Sequence, residues 1–189
     1  MKPAIRKQLK EYFQVFAIVL IASLFIRYFF IDIYFVPSHS MRPGLESGQN
    51  LLVLKSPWTQ NPSIERGDIV VLRDARDPDL RFARRVLALE NDRIELKQGR
   101  AILNGVALEP VLNSKMASCS EEKIPQSNRR YEICWEQPVL EDFGPEIVPP
   151  GSLFAVGDFR TQLAIDQRGR KTWGIFRKAD IIGRAKGVK

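Results

Sequence analysis

The chain has 189 residues, of which 44% are hydrophobic, 12 are glycine and 12 are proline. That is enough for one domain with its own core, and it argues against a disordered or collagen-like chain. The formal charge of +7 gathers at the two ends, in Lys2, Arg6, Lys7 and Lys10 and again from Arg168 to Lys189. No helix-turn-helix pattern or Cys/His metal spacing accompanies it, so no nucleic-acid partner, metal or organic cofactor is expected.

The first element in chain order is an apolar segment. Tyr12 to Ile26 carries no charge, Arg27 interrupts, and Tyr28-Phe29-Phe30-Ile31 resumes the apolar character. The spacing predicts a basic tail over 1–11 and a transmembrane anchor over 12–31. The charge-free part alone is a little short of the ~20 residues that span a bilayer. Arg27 fits at the outer boundary, with its guanidinium snorkelling among headgroup-level aromatics. The positive-inside rule keeps the basic tail in the cytoplasm and sends the remainder across. A cleavable signal peptide is disfavoured because bulky residues follow where a small-x-small site should stand. A buried core helix would have to hide an apolar cylinder inside a small domain.

Residues 32–189 read as a mainly β domain of antiparallel sheets. Short apolar runs recur at Leu51–Leu54, Ile69–Leu72, Phe82–Leu89 and Leu153–Val156. Arg93-Ile94-Glu95-Leu96 alternates with period two. Asn104-Gly105 between two apolar runs is a strong hairpin signal. Residues 110–147 read as a polar, Pro-containing insertion that holds both cysteines, Cys119 and Cys134. Outside the cytoplasm a structural disulfide between them is open, as are two free thiols. The bond would contribute about 3 kcal/mol in the chain-entropy model.

Pro37-Ser38-His39-Ser40-Met41 begins where the chain leaves the membrane. A serine at that height meets substrates that are themselves membrane-tethered. The run Phe35 to Pro43, with Arg27 before it, resembles the nucleophile box of the type I signal peptidase family. The resemblance continues, in order, through Gly67-Asp68-Ile69-Val70-Val71, Phe82-Ala83-Arg84-Arg85-Val86, Ile102-Leu103-Asn104-Gly105, Ile147-Val148-Pro149-Pro150-Gly151, Gly157-Asp158-Phe159-Arg160 and Trp173-Gly174.

That resemblance implies a β-domain on one N-terminal membrane helix, in the bacterial cytoplasmic (inner) membrane. It implies a serine endopeptidase that cleaves signal peptides from exported preproteins after small residues. Ser40 matches the nucleophile. The Ser38 hydroxyl matches the group that holds the oxyanion with the Ser40 backbone N–H. An extended substrate would lie between Ile33, Tyr34, Phe35 and Val36 on one side and Arg81, Phe82 and Ala83 on the other. Met41 reads as apolar packing.

The departure is at the general base. Where the family has a lysine, this chain has Arg84. An arginine's ordinary pKa lies so far above neutrality that bringing it into the range of a working base would cost about 8 kcal/mol, so Arg84 is no base. The serine that orients the lysine falls at Leu163, and Asp166 and Arg168 recover the later Asp-x-Arg only with one residue inserted. Asp158, Arg160, Asp166 and Arg168 are the expected supporting residues. His39, the only histidine, adjoins Ser40 and in an extended chain would face away from it. The substitution keeps an alternative open: a catalytically inactive pseudo-peptidase that binds exported segments or assists surface-structure assembly.

Overall fold

The computed structural model describes residues 3–55, 63–108, 110–111, 119–125, 129–136, 141–161 and 173–186. Helix α1 (Pro3–Phe29) contains no glycine, and its single proline is the first residue, where a missing N–H costs nothing. Within it, Leu9–Phe29 is a 21-residue stretch of mean hydropathy 1.8, none of it buried by the rest of the protein. Such a helix is roughly 31 Å long, the thickness of a bilayer's hydrocarbon core. Phe13, Phe16, Val19, Ile21, Leu24 and Ile26 are all exposed and point around the whole circumference. Water penalises that surface and lipid does not.

The helix passes into the β-domain with a single intervening residue. The Phe30 N–H closes the last turn on the Ile26 carbonyl at 2.9 Å. Lys55 then satisfies the carbonyls left over at the helix end, from Nζ to Tyr28 at 2.8 Å and from its backbone N–H to Phe30 at 2.9 Å. Strand β1 (Ile31–Phe35) follows, so Ile31, assigned above to the anchor, is a strand residue opposite Leu54. An apolar residue serves a sheet as well as a bilayer, and pattern alone does not separate the two.

The remaining strands are β2 (Asn50–Leu54), β3 (Ile69–Arg73), β4 (Arg81–Leu89), β5 (Arg93–Lys97), β6 (Arg100–Leu103), β7 (Val106–Ala107), β8 (Pro110–Val111), β9 (Cys119–Lys123), β10 (Arg130–Trp135), β11 (Phe143–Ile147), β12 (Ser152–Val156), β13 (Phe159–Arg160), β14 (Gly174–Arg177) and β15 (Ile181–Ala185). They form three sheets. The largest has the order β1-β2-β15-β3-β4-β12-β14, and the others are β11-β5-β6-β7 and β13-β10-β9-β8. All pairings are antiparallel except that of β10 with β13. Strands β2, β5 and β6 bury every second residue, whereas β3, β4 and β12 are buried at nearly every position. The first group has one solvated face; the second is covered on both. The β6–β7 turn uses Asn104 and Gly105 with φ of 51° and 81°, as a two-residue hairpin of this twist requires.

The expected insertion is more structured than its composition implied. Residues 110–147 contribute β8 to β11. Their signal is weak because β9 buries Ser120 and Glu122 rather than apolar side chains. A disulfide joins Cys119 to Cys134 at directly opposed positions of β9 and β10.

Asp92 is the hub of the β4–β5 turn. It accepts hydrogen bonds from Arg66 Nε and Nη2 (2.9 and 2.7 Å), Asn104 Nδ2 (2.9 Å) and the Leu89 N–H (2.7 Å). Burial works to raise its carboxyl pKa, but these bonds and the Arg66 charge outweigh it and hold the group below its usual value. A lowered carboxylate adds stability above the unfolded pKa of about 3.9 and loses it as pH falls through the folded value. Denaturant titrations should therefore show wild-type stability dropping below about pH 4, with a shallower drop in Asp92→Asn.

Candidate active site

The loop between β1 and β2 carries the serine motif. Its ends are closed by Val36 N–H to the Gln49 carbonyl (3.0 Å) and Gly48 N–H to the Val36 carbonyl (2.8 Å). Met41 and Leu45, each 1% exposed, plug it into the apolar cluster of Tyr34, Val36, Leu51, Val53 and Val71. Met41 therefore packs. The backbone from His39 to Leu45 is folded, with Arg42 N–H on the His39 carbonyl (3.0 Å) and Leu45 N–H on the Met41 carbonyl (2.9 Å). The extended geometry assumed for His39 is therefore not the observed one. His39 is exposed, and the side chains on Ser40 Oγ are others.

Those side chains are Arg84, whose Nη1 donates to Ser40 Oγ at 3.0 Å, and Ser38, whose Oγ lies 3.0 Å away. Arg84 is only 3% exposed. Its Nη1 also donates to the Ala83 carbonyl, and its guanidinium lies 5.2 Å from the centre of the Phe82 ring. Arginine has N–H donors and no acceptor, so Ser40 Oγ is the acceptor of this bond. The Ser40 proton must point elsewhere, either to Ser38 or into the cleft.

Behind the serine, the Ser40 carbonyl accepts from the Phe159 N–H at 3.1 Å. Gly157 permits this approach, since a Cβ there would come within 2.3 Å of the Ser40 oxygen. Asp158, between them, is fully buried and takes Arg85 Nε and Nη2 at 2.7 Å each. Arg85 also donates to the Gly67 carbonyl (2.9 Å) and stacks on Tyr131 at 4.3 Å. Burial works to lower the Arg85 pKa, and the Asp158 carboxylate more than reverses it. Gly44 completes the junction: a Cβ there would meet Asp158 Oδ2 at 2.4 Å. Arg160 continues the network, donating to the Gly157 and Gly99 carbonyls (2.8 and 3.1 Å) and to Glu122 Oε2 (3.0 Å). The Tyr131 hydroxyl donates to the same Glu122 oxygen at 2.6 Å.

An open cleft of about 360 Å³ runs from Ser40 between β1 and the start of β4. Tyr34, Phe35, Val36, Arg81, Phe82 and Ala83 line it, together with Ser38, Ser40 and Arg84. Ile33 does not line it and is 56% exposed beside Leu52, its partner across the strands. Asp79 and Leu80 also line it. They were missed because they sit in the turn before β4, outside any strand pattern. Two contacts join the walls: Asp32 Oδ2 to Arg81 Nη1 (3.3 Å) and the Tyr34 hydroxyl to the Arg81 carbonyl (3.2 Å). Burial raises the Tyr34 phenol, against the lowering effects of the Arg84 charge and the Ala83 amide. Asp158 and Arg160 stand one shell behind Ser40. Asp166, Arg168 and Leu163 lie outside the described residues. Among the described residues no His/Cys/Asp/Glu cluster could hold a metal.

Fold and site together define a helix-tethered β-protein with a serine hydroxyl at the end of a peptide-wide cleft. The profile of the signal peptidase, peptidase S26 family matches residues 9–188, and the chain belongs to that family. Signal peptidase I of Aquifex aeolicus (strain VF5) is 35% identical over 219 residues, covering 95% of this chain and 82% of that protein. Signal peptidase I of Bacillus licheniformis is 28% identical over 184 residues, covering 97% and 89%. Among solved structures, a signal peptidase I from Enterococcus faecalis V583 aligns with a TM-score of 0.41 at 20% identity, over 65% of this chain and 96% of that one.

Removing one member of a buried ion pair strands the other. Asp158→Asn should lower the unfolding free energy by about 3–5 kcal/mol in a denaturant titration followed by tryptophan fluorescence. The double change Arg85→Met, Asp158→Leu should cost less, because it leaves no unpaired charge.

Proposed function

We propose that this chain is a membrane-anchored serine endopeptidase that removes signal peptides from exported proteins after small residues, with its N-terminus cytoplasmic and residues 32–189 outside. One observation carries the reading: Ser40 Oγ, in contact with Ser38 and Arg84, closes a cleft whose walls are two strand edges beside the membrane helix. Among the described residues, strand β1 pairs only with β2, and β12 covers β4 only from Arg85 onward. Both edges are suited to an extended peptide adding as a strand. Full-length relatives carrying the name signal peptidase I support the same reading.

In this mechanism Ser40 Oγ attacks the scissile carbonyl, the C–N bond breaks and the mature chain leaves as an amine that takes its proton from water. A second water then hydrolyses the acyl-enzyme and frees Ser40. The Ser38 hydroxyl and the Ser40 N–H stabilise the oxyanion. Arg84 keeps its proton throughout. Its cation favours the Ser40 alkoxide over the hydroxyl, and the proton of Ser40 passes to solvent hydroxide rather than to a neighbouring amine. Binding without turnover is a second reading, and Arg84 is the observation that favours it.

Purified in detergent with a preprotein bearing a small-x-small site, the wild type should cleave, and Ser40→Ala should not. The wild-type rate should climb about tenfold per pH unit through the neutral and mildly alkaline range, as hydroxide dependence requires. Arg84→Lys should raise the rate by roughly a hundredfold near pH 9, the scale of a positioned base. Cleavage that survives Ser40→Ala overturns the proposal. Cleavage seen only after Arg84→Lys leaves the second reading in its place.

A further inference from the structure

The polarity of the hydrogen bond on Ser40 has a chemical consequence. A neutral amine at this position would accept the Ser40 proton and leave the oxygen lone pairs facing the cleft. Arg84 does the reverse. Its Nη1 occupies a lone pair of Ser40 Oγ at 3.0 Å, so the Ser40 proton is available to an acceptor. Ser38 Oγ, 3.0 Å away, either receives that proton and turns its own toward the cleft, or donates to Ser40 Oγ and leaves the Ser40 proton facing the cleft. In each case one hydroxyl proton faces the cleft and, with Arg84 behind it as a cation that does not titrate, makes a donor cluster beside Ser40. Such a cluster suits an anion better than a neutral carbonyl, because charge-assisted hydrogen bonds are about twice as strong.

The shape of the cleft says which anion. Its walls are the edges of β1 and β4, which the Asp32–Arg81 ion pair also joins. A peptide lying between them as an added strand would bring its chain end, or a bond within it, against Ser40. We infer that this site is a receptor for the C-terminal carboxylate of an extended peptide ending in small residues, held by the Ser40 and Ser38 hydroxyls with Arg84 behind them. This rests on the peptide-binding reading of the cleft and adds a preference for the free acid. A protein that cleaves here would thus hold on to the acyl-side product, the peptide whose new carboxylate the reaction creates.

The test uses the detergent-solubilised full chain and one fluorescently labelled hexapeptide ending Ala-Ser-Ala, prepared as the free acid and as the C-terminal amide. Fluorescence polarisation at pH 7.5 should show the acid binding roughly ten- to a hundredfold more tightly than the amide, the scale of one hydrogen bond to a charged group. In Arg84→Gln the acid and amide should converge to within about twofold. Wild-type binding of both forms with equal affinity overturns the carboxylate receptor while leaving the peptide cleft standing. If neither form binds, the peptide-binding reading of the cleft fails, and the receptor with it. A preference for the acid that persists unchanged in a folded Arg84→Gln protein also overturns the inference, because the cation would then play no part.

Discussion

The site is organised by the buried ion pair of Arg85 and Asp158. Asp158 is fully buried and Arg85 nearly so, which makes each the other's main partner, and the two-pronged 2.7 Å contact leaves little freedom in how β4 meets the segment after β12. The sequence neighbours of the pair are the residues that touch Ser40. Arg84 precedes Arg85 and reaches Ser40 Oγ; Gly157 and Phe159 flank Asp158 and hold the Ser40 carbonyl. One electrostatic contact therefore fixes the serine from two directions. Gly44 and Gly157 are the steric counterpart, since a methyl group at either would push the serine loop off its support.

The same construction sets where Arg84 can reach. Arg84 lies on a strand whose register with β3 and β12 is set by its apolar neighbours Val86 and Leu87 and by Arg85. Its side chain reaches Ser40 Oγ, with the Phe82 ring and the Ala83 carbonyl taking part of the guanidinium. At that oxygen Arg84 is a donor, and a guanidinium offers no acceptor.

The membrane helix and the cleft are coupled by short connections. Lys55 ties the end of α1 to the strand following the serine loop. The exposed Ile33, Phe35 and Leu52 extend apolar surface from the helix along the outer face of β1 and β2. An exposed apolar patch contiguous with a lipid-facing helix is surface that a bilayer headgroup region can cover.

Much of this was legible in one dimension. The all-apolar segment gave the helix because an uncharged run of that length has few solvents. Period-two alternation gave β5, and Asn104-Gly105 gave the β6–β7 turn, since local sterics decide both. Ser38, Ser40 and Arg84 were found through ordered motifs, which carry chemistry by residue type. Strands β9 and β10 were not legible, because Glu122, Tyr131 and Arg160 meet in the interior, where Glu122 Oε2 accepts from both partners, and each reads as a surface residue when taken singly. Asp79 and Leu80 were missed for a related reason: a turn residue joins a cleft only through what folds against it. The sequence by itself thus determined the apolar helix, the β class and that the side chain of residue 84 has donors and no acceptor. Tertiary structure alone decided that Arg84 donates to Ser40, that His39 stands aside and that Asp158 braces the serine loop. Those facts depend on distances between residues dozens of positions apart, which no local pattern encodes.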